Sequence, residues 1–301
     1  MKKIILNGCS WIAGDELVWH QYLNEIGRDV NDPTLQWKNN LFTVDFVSVQ
    51  EQYRTVYRKK YNQGGMLAKE LGTEVIDISD DGNSNDNIAL STINEVLSIP
   101  EEERQNYHVI VGWTLKERKL MYLDDYWRNV HISHCTGGKL SKTSYWDKYQ
   151  SRFNGAFLEE TDNDWYLNYF KNVILLESFL KSQNITFTFY RSLGKKSDFY
   201  DPDTDEKKNI FKVDLRNEKS YPQKNIKLGN FTPDAIDKSN WLTFLDDNDL
   251  TLAQQSWTEY MKQNLKFKWR LSDSNTHPNL NAIKELVLII KEHLLSKNLL
   301  S

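Results

Sequence analysis

The sequence predicts an α/β fold, a parallel sheet with helices on both faces, and three observations carry that prediction. Short apolar runs bounded by glycine, Ile4 to Leu6 and Val109 to Val111, have the length and composition of strands buried on both faces. Helical stripes alternate with them, the strongest running through Tyr166, Tyr169, Phe170, Val173, Leu176 and Leu180. No internal repeat appears at periods of roughly 20 to 50 residues, which excludes a solenoid or propeller.

In chain order, the first apolar run stops at "NGCS" and reads as strand one, followed by a helix within "SWIAGDELVWHQYL" whose weak point is Gly14. Residues 19 to 62 are rich in Asn, Asp, Tyr and charge and read as an elaborate loop region. A helix from about Met66 is stopped by Gly72, and strand two runs through Val75, Ile76 and Ile78. The loop "DDGNSNDNI" leads into a helix starting near Asp86, with apolar residues at 88, 93, 96 and 97. Strand three ends in Gly112, and residues 116 to 162 show no clear pattern. The long helix "WYLNYFKNVILLESFLKSQ" and the alternating strand "NITFTFYRS" follow. An irregular polar stretch over 195 to 262 then precedes a closing amphipathic helix through Ile283, Leu286, Val287, Ile290 and Leu294.

The expectation is therefore one domain over 1–301, a three-layer sandwich with insertions at about 19–62, 116–162 and 195–262. With the flavodoxin-like strand order 2-1-3-4-5, a ligand crevice opens beyond the carboxyl ends of strands one and three. Ser10 follows the first of these and Gly112 to Thr114 follow the other.

Composition narrows the partners. Thirty-eight Lys and Arg against 42 Asp and Glu give a net charge of −4, so no global field draws nucleic acid or anionic lipid to the chain. The apolar run at the start is too short for a signal-peptide core, and no run approaches a membrane span, so cytoplasmic synthesis is expected. Two cysteines, Cys9 and Cys135, cannot build a disulfide framework.

A Ser held just past a buried strand, at the start of a helix, suits a nucleophile, and Ser is equally a favoured N-cap. "GCS" by itself leaves both open. The loop after strand two brings Gly82, Asn83, Ser84 and Asn85 towards the same crevice, where N–H groups can face an oxyanion or merely cap the next helix. His277, ahead of Pro278 and the last helix, can swing over the sheet edge and deprotonate a Ser, with Asp273 four positions earlier to orient it.

Taken in order, GCSW at 8 to 11, GxSN at 82 to 85, VGWT at 111 to 114 and DxxxHPN at 273 to 279 resemble the SGNH/GDSL hydrolase superfamily, most of all the divergent members of tailed bacteriophages and their hosts. The resemblance covers roughly residues 1 to 120, 165 to 194 and 270 to 300, and not the insertions. It implies a flavodoxin-like sheet and a serine hydrolase acting on lipids, acylated sugars or other small esters, without a cofactor or metal. It implies Ser10 as nucleophile and oxyanion donor, Gly82 or Asn85 as a second N–H donor, and His277 as general base. This chain departs from the family pattern twice. Thr114 stands where an Asn side chain is expected to assist the oxyanion, and Ser274 stands where an Asp is expected, with Asp273 one step further out. The site is then a Ser-His-Asp triad or a Ser-His dyad. Two functions follow from these residues: an esterase or deacetylase, or a binding or structural protein such as a virion component that keeps the sheet and has lost efficient catalysis.

Other signals are weaker. "DPDTDEKKNIFK" starts like a calcium loop, but Glu206 and Lys212 replace the turn Gly and closing Glu. "HISHC" at 131 to 135 lacks an evident fourth zinc ligand, and "SHCTGGKL" lacks the first Gly and the final Ser or Thr of a phosphate loop. Trp113, Tyr122, Tyr126, Trp127, Tyr145, Trp146 and Trp165 lie outside core periodicity, and such aromatics stack on sugar rings or pack a mini-core that ties long insertions to the sheet.

Overall fold

The computed structural model describes residues 2–25, 27, 56–116, 118–123, 125–131, 162–193, 237–244, 256–265, 270–271 and 277–301. Its centre is a four-stranded sheet of β1 (Lys3–Gly8), β2 (Val75–Asp77), β3 (Tyr107–Trp113) and a later strand, Thr186–Arg191, all parallel. Between them lies an antiparallel hairpin, β4 (Arg118–Leu123) with β5 (Tyr126–His131), which makes Thr186–Arg191 β6. The sheet order is β2-β1-β3-β6, and Trp241 and Ser256 extend the β6 edge by single parallel bridges. The helices are α1 (Ser10–Ala13), α2 (Asp15–Glu25), α3 (Arg58–Tyr61), α4 (Gln63–Leu71), α5 (Asn85–Ser98), α6 (Asp162–Ser182), α7 (Trp257–Asn264) and α8 (Leu280–Ser296).

Strand residues alternate between two cores, as a pleat with helices on both sides requires. Ile5, Val109, Val111, Phe187 and Phe189 face α5 and α6 through Ile88, Val96, Val173, Leu176 and Leu180. Ile4, Leu6, Ile110 and Tyr190 face α1, α4 and α8 through Ile12, Leu67, Ile283, Leu286 and Ile290. This is a mixed α/β fold with a central parallel sheet between helical layers. Among the described residues no helix is long and apolar enough to cross a membrane.

The paired glycines Gly8 and Gly112 explain how α1 reaches the sheet. A Cβ on either would stand 2.0 Å from Ile12 Cδ1, so these two bare positions form the socket into which Ile12 drops. α1 then ends after one turn because Gly14 adopts φ +67°, a left-handed cap open to glycine at little cost.

Several sequence expectations need correction. α4 starts at Gln63 rather than Met66, because Asn62 caps it by accepting the Gly65 N–H at 2.7 Å. The first and third insertions hold α3, α7 and the end of α2, and the second holds the β4–β5 hairpin. Leu97 is exposed rather than packed, and Trp113 is fully buried in the core as the last residue of β3. Tyr145, Trp146 and all of "HISHC" beyond His131 lie outside the described residues.

Candidate active site

β1 delivers Cys9 and Ser10 to the carboxyl edge of the sheet. Cys9, with extended backbone, is the N-cap of α1 and makes no side-chain cap bond, while Ser10 is the first helical residue. The capping alternative for Ser10 is thereby removed. Its side chain turns instead to the other end of the chain, where Ser10 Oγ lies 3.2 Å from His277 Nε2. Ser10 is 3% exposed and His277 half-buried, so the hydroxyl lies beneath the surface with the imidazole nearer solvent.

Backbone contacts on either side fix His277. Its carbonyl accepts the Leu271 N–H at 3.0 Å, Pro278 bridges antiparallel to Arg270, and Asn279 caps α8 by accepting the N–H groups of Asn281 and Ala282 at 3.1 and 3.0 Å. The Trp11 ring stands 6.1 Å from the imidazole at a 49° tilt and walls one side. Asp273 and Ser274 lie outside the described residues.

The facing wall is the loop between β2 and α5, held by side-chain amides. Asn83 Nδ2 donates to the Gly8 carbonyl at 3.1 Å and to Asn7 Oδ1 at 3.5 Å. Asn7 is itself buried, donating to the Ile88 carbonyl, Ser91 and Thr92 on α5 and accepting the Gly8 N–H at 2.7 Å. Asn129 of β5 accepts from both the N–H and the hydroxyl of Ser84, at 3.0 and 2.7 Å, and so pins the hairpin to this loop. Asn7 and Asn129 were not signalled as site residues. A lone Asn inside an apolar strand, "IILNG", is the one available hint, since a buried amide must find partners.

Each oxyanion candidate has a definite place. Gly82 sits in the turn with φ +68°, where its missing side chain leaves open space. Asn85 is the first residue of α5, so its backbone N–H has no partner within the helix. Its side chain is committed elsewhere: Oδ1 accepts the Thr114 N–H at 3.0 Å, and Nδ2 donates to the Leu115 carbonyl at 3.1 Å and the Thr114 carbonyl at 3.4 Å. The side-chain amides of Asn83 and Asn85 are therefore both used to hold backbone. Thr114 Oγ1 is buried and has no hydrogen-bond partner among the described residues. The Cys9 thiol, also buried, rests 3.8 Å from Ser192 Oγ.

Behind β2, Asp77 accepts from the N–H and hydroxyl of Ser79 and from Asn62, and burial holds its carboxyl above the usual carboxylate range. This cluster fixes the start of the loop that follows β2. Among the described residues no group of His, Cys, Asp and Glu could hold a metal ion.

Chemically, the arrangement joins a hydroxyl and an imidazole nitrogen at hydrogen-bond range, near a turn whose Ser84 N–H is taken by Asn129 and a helix start whose Asn85 N–H has no partner within the helix. Compared with known proteins, the chain matches no family model, and no curated protein matches it significantly.

Proposed function

We propose that the chain is a serine ester hydrolase of the SGNH/GDSL type, and the observation that carries this reading is the 3.2 Å approach of His277 Nε2 to Ser10 Oγ across 267 positions of sequence. In this mechanism Ser10 Oγ attacks an acyl carbonyl while His277 Nε2 takes the hydroxyl proton. The tetrahedral oxyanion rests on N–H groups of Ser10 and of Gly82 or Asn85, with the Thr114 hydroxyl as a further donor. The intermediate collapses by breaking the bond to the alkoxy oxygen, which leaves as alcohol with the proton from His277. Water, deprotonated by His277, then releases the acid from the acyl-Ser10. Fixing the tautomer that this exchange needs is the role the sequence offers to Asp273, four positions before His277.

The hairpin favours an acylated carbohydrate as substrate. Trp127 and Tyr122 face each other across its two strands with rings 5.4 Å apart, and Trp127 is 66% exposed. Trp127 also shares a strand face with Asn129, the residue tied to Ser84. Stacking on that pair would hold a sugar on the hairpin that Asn129 joins to the loop after β2.

The second reading, a binding or virion structural protein with feeble catalysis, is favoured by one observation: the side-chain amides of Asn83 and Asn85 are spent on backbone. Loss of one oxyanion donor costs about 100- to 1000-fold in turnover. Hydrolysis of p-nitrophenyl acetate and of an acetylated oligosaccharide, compared with Ser10→Ala, separates the two. Turnover abolished by the substitution supports the hydrolase, whereas wild-type protein no faster than Ser10→Ala supports the scaffold.

A further inference from the structure

On the α4 and α8 side of the molecule lies an open trough of about 720 Å³, and nothing in the proposed hydrolysis uses it. Its apolar surface comes from Met66 on α4, from Leu280, Val287 and Leu288 on α8, and from Val56 just ahead of α3. Val56 and Leu288 remain 56% and 44% exposed, so among the described residues no element covers this hydrocarbon.

The charge around this surface is one-sided. Lys59, Lys69 and Lys284 line the trough, are exposed, and form no ion pair among the described residues. The other two charged contributors are already matched, Lys60 by Glu25 at 3.0 Å and Glu70 by Lys291 at 3.0 Å. On a chain of net charge −4, three unmatched ammonium groups around an apolar trough form a local field of the opposite sign. The volume falls within the range of small-molecule sites, roughly 300 to 1000 Å³, and an aliphatic tail would satisfy the Met, Val and Leu surface.

We propose that this trough binds a single-chain amphiphile with an anionic head group, of the long-chain carboxylate class, its tail against Met66, Val287 and Leu288 and its head among Lys59, Lys69 and Lys284. The site is separate from Ser10 and does not depend on hydrolysis, although α8, which forms one wall, begins three residues after His277.

Titration of 11-(dansylamino)undecanoic acid into Ser10→Ala protein, followed by displacement with dodecanoate or dodecanol, tests the proposal without any turnover. Saturable binding at one site is expected, with dodecanoate displacing at least tenfold better than dodecanol. The triple variant Lys59→Glu/Lys69→Glu/Lys284→Glu should weaken binding at least tenfold, with its circular dichroism unchanged. Leu288→Asp provides an independent variant in the apolar wall and should also weaken binding about tenfold. Absence of binding, equal displacement by acid and alcohol, or indifference to both variants would overturn the proposal. So would an acidic helical peptide that binds the trough where dodecanoate does not.

Discussion

The two walls of the candidate site, the loop after β2 and the segment at His277, are held by different means. The loop from Ser79 to Asn85 is clamped by side chains: the amides of Asn83, Asn85 and Asn129 hold it or the strand ends beside it, and Asn7 accepts from Asn83 and Gly8 through its amide oxygen. The segment at His277 is instead held mainly through backbone, by the Leu271 N–H and the Arg270–Pro278 bridge, with one side-chain amide, that of Asn279, capping α8 and reaching the Arg270 carbonyl. The lesson concerns tolerance to motion. Donors that stabilise developing charge act best when immobile before substrate arrives, whereas a base that passes a proton in two directions needs its ring placed and otherwise only loosely confined. Substitutions on the His277 wall should therefore lower turnover without unfolding, and substitutions on the amide wall should lower both.

The sharpest contrast is His277→Ala. Turnover of a p-nitrophenyl ester should fall by about 1000-fold or more, while the melting temperature stays within a few degrees of wild type, as a half-buried ring outside both cores predicts. On the opposite wall, Asn7→Leu strips partners from Asn83, Gly8, Ser91 and Thr92 at once. A stability loss of about 1–3 kcal/mol by urea unfolding is expected, with a fall in turnover of at least tenfold as the loop loosens. Equal stability in the two variants would erase the distinction between the walls.

Gly112→Ala probes the platform on which both walls stand. Its new methyl meets Ile12 Cδ1 at 2.0 Å and the Tyr190 ring end at 2.9 Å, an overpacking that should cost about 1–3 kcal/mol. Adding Ile12→Ala should recover part of that loss, since it vacates the nearer of the two obstacles. A smaller effect is expected from Thr114→Val. The hydroxyl it removes has no partner among the described residues, so stability should hold or rise, while turnover drops about tenfold if that hydroxyl reaches the oxyanion.

The paired glycines also mark what could be read from sequence. Strands β1, β2, β3 and β6 and the long helices were legible because each carries a full period of apolar residues facing one of the two cores. Ser10 and His277 were legible by residue type and by position at element ends, though only the backbone, which places Cys9 at the cap, removes capping as a role for Ser10. The hairpin was not legible, since "RKLMYL" and "YWRNVH" alternate weakly and leave Tyr126 and Trp127 to solvent, so no hydrophobic period announces them. The amide clamp was hidden for a different reason: an Asn in a loop looks the same whether it caps a helix, reaches an oxyanion or holds a neighbouring strand, and only long-range partners distinguish these.

A separate effect, on stability alone, lies far from either wall. His108 is buried in β3 between Thr186 and Thr188, at 2.9 and 3.0 Å, and burial, aided by nearby Lys2 and His293, pushes its imidazole down to about 3. An unfolded imidazole takes up its proton near pH 6.5, so between there and about 3 the unfolded chain binds the extra proton. Stability should then be full above that range and decline as pH falls through it. His108→Gln should flatten the decline in urea midpoint between pH 7 and pH 4, whereas an unchanged slope would assign the acid sensitivity to other groups.

The account depends most on Ser10 Oγ being activated by His277, and covalent labelling with a fluorophosphonate reads that directly. Mass spectrometry should place one adduct on Ser10 in the wild-type protein, strongly slowed labelling in His277→Ala, and none in Ser10→Ala. A folded wild-type protein that stays unlabelled, or that labels at another residue at the same rate in all three proteins, would contradict it.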